Sequence, residues 1–305
     1  MPRHALCRLD RVAFERRDVL MFNSIVVGID GTDRGARALE WAARTAEREG
    51  AGLTLLAIID ESVVQAYGTP AEDLRGSIEQ MLESERARML ECHPNLETST
   101  AIVSGKIVEC LTDAAQKHDM IVMGSHHGPS VGETIGGAKG LRVSISTDVP
   151  TVVVPADWDP DAERTGIVVG IGPDDSSDDA IQFGVHVALL LDEPLRLVSA
   201  WGLPPMLSRS AEAMGGGLQP VGAQFQRNLD VIVARLKEEY PSLQVTGEAV
   251  EGSAPSRVLV DCSKECRTLV LGTHSRKALG RAVFGSVTHS VLLNLQTPTV
   301  VVPKK

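Results

Sequence analysis

The sequence is poor in aromatic residues and has no surplus of positive charge. Aromatics make up 3% of its 305 residues, and 30 Lys+Arg stand against 40 Asp+Glu, a formal charge of −10. A stacking platform for single strands needs rings, and a duplex-binding surface needs cations to neutralise phosphates. Neither class of nucleic-acid binder fits. No run of 18 or more apolar residues occurs, so no membrane-spanning helix is predicted. Residues 1–22 carry five arginines and three acids and lack a continuous apolar stretch. They read as a tail, as sequence upstream of a start at Met21, or as a short amphipathic docking segment, and not as a signal peptide.

Paired cysteines are missing too. Cys7, Cys92, Cys110, Cys262 and Cys266 form no CxxC motif. Cys262 and Cys266 are four apart and would share a face of a helix. The set reads as small residues in a reducing cytosol, since a zinc site needs further ligands at suitable spacing. Catalytic motifs are absent as well, with no G-x-S-x-G elbow and no GxxxxGK(S/T) loop.

What the chain does have is a repeat. SIVVGID at Ser24–Asp30 returns as GIVVGIG at Gly166–Gly172, an offset of 142 residues (166 − 24). DMIVMGSH at Asp119–His126 returns as RTLVLGTH at Arg267–His274, and DVPTVVVP at Asp148–Pro155 as QTPTVVVP at Gln296–Pro303, both at 148. Six extra residues therefore fall inside the second copy, and Gly202–Gln224, with three prolines and Gly215-Gly216-Gly217, is the expected place. A unit of this size is a domain and not a solenoid module. The division is a tail over 1–22 and two domains over 23–157 and 163–305.

Each unit alternates short apolar, β-branched runs with helix-like segments. In the first, strands are expected at Ser24–Ile29, Leu53–Ile59, Thr98–Val103, Met120–Met123 and Thr151–Val154. Helices are expected from Thr32 or Asp33 to Glu49, near Pro70–Cys92, over Ile107–Lys117 and near Gly140–Ser146. The second unit follows suit. Continuous apolar strands separated by helices predict two doubly wound, five-stranded parallel sheets, an α/β fold of Rossmann-like type.

Such sheets bind ligands beyond the carboxyl ends of their strands. Strand one ends in Gly28-Ile29-Asp30, and strand four in Gly124-Ser125-His126-His127-Gly128. The segment Gly124–Gly140 holds six glycines in 17 residues, which suits backbone N–H groups turned towards an anion. His126, His127 and His274 have no Asp, Glu or Cys set beside them, so no metal site is read. Lys106 and Lys139 read as surface residues.

These features resemble the universal stress protein family in its tandem, two-domain form. Its nucleotide-binding members carry G-x2-G-x9-G-(S/T) after strand four and an Asp ending strand one. The resemblance implies an adenine-nucleotide-hydrolase-like fold and a site for ATP in at least one copy, with Mg2+ left open. It places Asp30 and Ile58 at the base and sugar, and Gly124, Gly128 and Gly137 at the phosphates. In the second copy it places Ala200 at the base, and Gly272, Ser275, Gly285 and Ser286 at the phosphates. Neither copy is intact. His127 stands at a glycine position, although Gly128 follows, and Ala138 replaces the hydroxyl residue. In the second copy Gly172 stands at the Asp position, with Asp174 and Asp175 displaced, and Ser275 replaces a glycine. Arg276 and Lys277 adjoin the second cradle, which favours that copy for phosphate contact.

The expected function is a cytoplasmic, non-enzymatic, ATP-binding regulator of the stress response. The alternatives are a ligand-free interaction module with degenerate loops and, further off, a nucleotidyl-transfer enzyme. The resemblance also implies that Thr151–Val154 pairs with Thr299–Val302, an intramolecular pseudo-dimer, and allows a homodimer of chains. No nucleic-acid or membrane partner is expected.

Overall fold

A computed structural model describes residues 22–67, 70–125, 136–172, 177–202, 219–252, 254–273 and 286–304. The first repeat runs β1 (Ser24–Gly28), α1 (Asp33–Glu49), β2 (Gly52–Asp60), α2 (Glu61–Tyr67), α3 (Ala71–Cys92), β3 (Thr98–Gly105), α4 (Ile107–Ala115), β4 (Met120–Gly124), α5 (Gly136–Ser146) and β5 (Thr151–Val154). The second runs β6 (Ile167–Gly170), α6 (Asp178–Leu191), β7 (Leu195–Trp201), α7 (Gln219–Glu239), β8 (Val245–Glu251), α8 (Pro255–Ser263), β9 (Thr268–Gly272), α9 (Ser286–Leu292) and β10 (Thr299–Val302).

The strands form one sheet in the order β3-β2-β1-β4-β5-β10-β9-β6-β7-β8. Neighbours are parallel throughout, except that β5 and β10 run antiparallel with Val152 opposite Val300. This join makes the sheet continuous across the repeats. The strands read as unbroken apolar runs because both faces are covered. Ile25 and Val27 face one core and Val26 the other. The first core continues through Val152, Val300, Ile167 and Phe183, so one body of packed side chains serves both repeats.

Local chemistry sets the element ends. Thr32 caps α1, its Oγ1 accepting from Gly35 N at 3.3 Å. Gly50 ends α1 at φ +66°, and Asp192, 142 residues on, takes the same left-handed conformation at φ 55° after α6. The stretch after β2 is helical rather than merely polar. Asp60 Oδ1 accepts from Ser62 N at 2.9 Å and Ser62 Oγ at 2.7 Å, which starts α2. Helix α5 starts at Gly136 and α7 at Gln219, each earlier than expected. Cys266 lies beyond α8, so it and Cys262 do not share a helical face.

Leu53 pairs with Thr98, and Leu195 with Val245. The offset is thus still 142 at β7 (195 − 53), 147 at β8 (245 − 98) and 148 at β9 (268 − 120). Five of the six extra residues fall between β7 and β8, and the sixth between β8 and β9.

The repeats also meet through side chains. Glu49, at the end of α1, hydrogen-bonds His186 of α6, with both residues buried. Phe22 packs on Phe183 at 5.7 Å between ring centroids and stands edge-on to His186. Arg44 of α1 donates to the linker carbonyl of Pro160 at 3.0 Å, and Arg37 donates to that of Trp158. Among the described residues no helix is long and apolar enough to cross a membrane.

Candidate functional site

In the first repeat the strand order turns back between β1 and β4, where the crossovers leave in opposite directions and open a crevice. A cavity of about 240 Å³ lies there. The ends of β1 (Gly28), β2 (Leu56 to Ile58) and β4 (Met123, Gly124) form its floor. Ile78 and Met81 of α3 and Ile107 and Leu111 of α4 form apolar walls, and Asp30, Arg34 and Gly35 line its polar side. This volume is near the lower end of the roughly 300–1,000 Å³ usual for small-molecule sites. It suits a flat base with its sugar, with phosphates reaching outward.

Three residues singled out from the sequence come together on this cavity: Asp30, Ile58 and Gly124. Asp30 is exposed at its rim. Its Oδ1 accepts from Thr32 N at 3.0 Å and Thr32 Oγ1 at 2.5 Å, which fixes the carboxylate against the first turn of α1. Gly137 lies in the first turn of α5, while Gly128 lies outside the described residues, as do His126 and His127. Arg34, Met81, Leu111 and Gly140 complete the lining and were not singled out. Met81 and Leu111 belong to helices α3 and α4, and their apolar spacing reads as ordinary core.

Gly124 has a packing reason for being glycine. A Cβ there would stand 2.8 Å from the carbonyl oxygen of Arg34 and 3.0 Å from its carbonyl carbon. The end of β4 and the first turn of α1 therefore touch backbone to backbone, and the absent side chain serves that contact.

The second repeat is built differently at the matching place. Gly172 stands where Asp30 does, and its N donates to Ser177 Oγ at 2.9 Å. Ser177 itself matches Gly35, whose imagined Cβ would lie 2.6 Å from Asp30 Oδ1. The polar side chain has moved to the other position of the pair, and a serine hydroxyl stands in for the carboxylate. Asp174 and Asp175 lie outside the described residues. Packing at the end of β6 is also closer than at the end of β1. A Cβ on Gly170 would meet Leu271 at 2.8 Å, whereas one on Gly28 would meet Leu111 at 3.4 Å.

Next to Ala200 at the end of β7, Trp201 is 7% exposed and stacks on Phe225 of α7 at 6.0 Å. A Cβ on Gly222 would lie 2.5 Å from the Trp201 ring, so α7 presses directly onto it. Trp201 matches Ile59 of the first repeat. Its Nε1 is buried with no acceptor among the described residues. Gly272 ends β9, and Ser286 opens α9, exposed, its carbonyl accepting from Ser290 Oγ at 2.8 Å. Ser275, Gly285, Arg276, Lys277 and His274 lie outside the described residues.

Among the described residues no group of three or more His, Cys, Asp or Glu is placed to hold a metal ion. Lys106 pairs with Glu109 at 3.1 Å in the open. Burial, then the charges of Asp113 and Glu109, hold the Cys110 thiol above its usual range, which makes it a poor nucleophile.

Residues 21–155 and 164–303 each match the Universal stress protein family. A universal stress protein of Mycolicibacterium smegmatis is 26% identical over 295 residues, covering 91% of this chain and 96% of that one. One of Mycobacterium tuberculosis is 24% identical, covering 92% and 96%. Among solved structures, a universal stress protein from Archaeoglobus fulgidus superposes with a TM-score of 0.67 at 15% identity, over 93% of this chain and 99% of that one. Two matched domains in tandem, full-length relatives and a shared fold give one conclusion: the chain belongs to the universal stress protein family.

Proposed function

We propose that this protein is a non-enzymatic, adenine-nucleotide-binding regulator of the stress response, and that its first repeat takes the nucleotide. The carrying observation is the roughly 240 Å³ cavity that brings Asp30, Ile58 and Gly124 to one surface at the turning point of the sheet. Apolar side chains from α3 and α4 would cover the faces of the base. Asp30, pre-set by Thr32, would accept from the sugar or base. ATP is the expected ligand, and any Mg2+ would arrive on its phosphates. Among the described residues lining the cavity none is arranged as a general base with an oriented nucleophile, so these residues support binding rather than turnover.

The second repeat reads as a supporting partner. In it Leu271 packs closely on the end of β6 and Trp201 stacks on Phe225, which favours the interaction-module reading for that half alone. The expected stoichiometry is one nucleotide per chain.

Titration calorimetry with ATP on the full chain tests this. Ile58→Trp, which fills the base end of the cavity, should abolish binding, whereas Ala200→Trp should leave it unchanged. Binding lost in Ala200→Trp and kept in Ile58→Trp would move the site to the second repeat. No uptake of ATP by the wild-type chain would remove the reading.

A further inference from the structure

Arg34 stands in the first turn of α1. A cation there opposes the helix dipole, whose positive end lies at the N-terminus. Such a placement is ordinarily relieved by an acid. Arg34 takes part in no hydrogen bond or ion pair among the described residues, although it lines the first-repeat cavity. Asp30, the acid on the same cavity, is held by Thr32. Asp33 shares that turn, but among the described residues it makes no ion pair with Arg34, which leaves the guanidinium available to a ligand in the cavity that it lines.

Position narrows what that is. The backbone of Arg34 touches the end of β4, since its carbonyl oxygen is 2.8 Å from where a Gly124 side chain would begin. Arg34 thus sits beside Gly124, the first glycine of the loop assigned to phosphate, on the lining of the same cavity. The same loop has Ala138 where a hydroxyl is expected. At the offset of 142 the second repeat has Ser176, which is neutral. Arg34, with no partner among the described residues, and the cavity lie in the same repeat.

We infer that Arg34 binds the phosphate of the nucleotide held in the first repeat and makes that site select phosphorylated ligands over the free nucleoside. The inference rests on the nucleotide reading above. A guanidinium offers two parallel N–H groups to phosphate oxygens, which a hydroxyl does not. It stands in for the missing hydroxyl with a stronger, charge-assisted contact.

Calorimetry on the full chain with ATP and with adenosine, for wild type, Arg34→Gln and Arg34→Lys, tests it. Arg34→Gln should weaken ATP on the order of tenfold or more, as expected for losing a charge-assisted hydrogen bond. It should leave adenosine within about twofold, which also reports an intact fold. Arg34→Lys should recover part of the ATP affinity, because it keeps the charge and loses the fork. Equal losses for ATP and adenosine, or no loss for ATP, would overturn the role of Arg34 while leaving nucleotide binding in place. A wild-type chain that takes up neither ligand would overturn nucleotide binding itself, and Arg34 with it.

Discussion

Glycines show how one residue type answers to different neighbours. Gly124 has backbone at 2.8 Å where its side chain would be. Gly124→Ala should therefore cost roughly 1–3 kcal/mol, the usual range for overpacking against something that cannot move. Gly76, in the exposed middle of α3, has nothing within 4 Å. Gly76→Ala should stabilise the protein by about 0.5–1 kcal/mol through helix propensity. Denaturant unfolding of both variants checks the contrast. The cysteines separate in the same way. Burial pushes the Cys266 thiol up from 9.0 to about 12, while Cys92 is exposed. A thiol reagent at neutral pH should label Cys92 and spare Cys266. Because the folded value lies above the unfolded one, the stability tied to the neutral Cys266 thiol is complete below pH 9. It declines as pH rises from 9 towards 12. Unfolding midpoints across that window should fall less steeply in Cys266→Ala.

The cap of α1 links fold and site among the elements. Thr32→Ala removes the helix cap and the hydroxyl bond to Asp30, leaving the backbone N–H bond, and should cost about 1 kcal/mol. ATP affinity should fall with it in calorimetry, because Asp30 is then held less firmly. The strands were the most legible elements. Their apolar, β-branched runs carry the signal of a sheet covered on both faces, and the repeat placed most of them twice. The gathering of Asp30, Ile58 and Gly124 followed, since strand ends at one turning point must meet. What could not be read depends on contacts between distant segments. The approach of Arg34 to Gly124 is invisible in a glycine-rich loop, where an anion cradle is the simpler account. The exchange of Asp30 and Gly35 for Gly172 and Ser177 leaves only a missing acid in the sequence. Trp201 reads as one more strand residue until Gly222 and Phe225 close on it. Helix α2 had a local signal, Asp60 two residues before Ser62, within a stretch too short to show a period.

Across the whole molecule, the antiparallel β5–β10 join, the buried Glu49–His186 pair and a shared core bind the repeats together. Val301 is 0% exposed beside that join. Val301→Lys should cost several kcal/mol by burying an unpaired charge. Leaving a buried hydrogen-bonding group without one of its partners typically costs about 1–3 kcal/mol, so His186→Leu should fall in that range. A double-mutant cycle with Glu49→Gln should give a coupling energy on the order of 1 kcal/mol or more. Additivity within a few tenths would mean that the two side chains do not act together. Since one core runs through both repeats, heat should melt them in a single transition, and calorimetric and van't Hoff enthalpies should agree.

The join between β5 and β10 has one more consequence. The halves are covalently tethered, so their association is governed by a fixed effective concentration and not by mass action. Dilution cannot separate them, and the melting temperature should stay the same over a wide range of protein concentration. The assembly is therefore as complete in a cell holding a few copies as in one holding thousands. Each half is also free to vary alone, because a change in one is never imposed on the other.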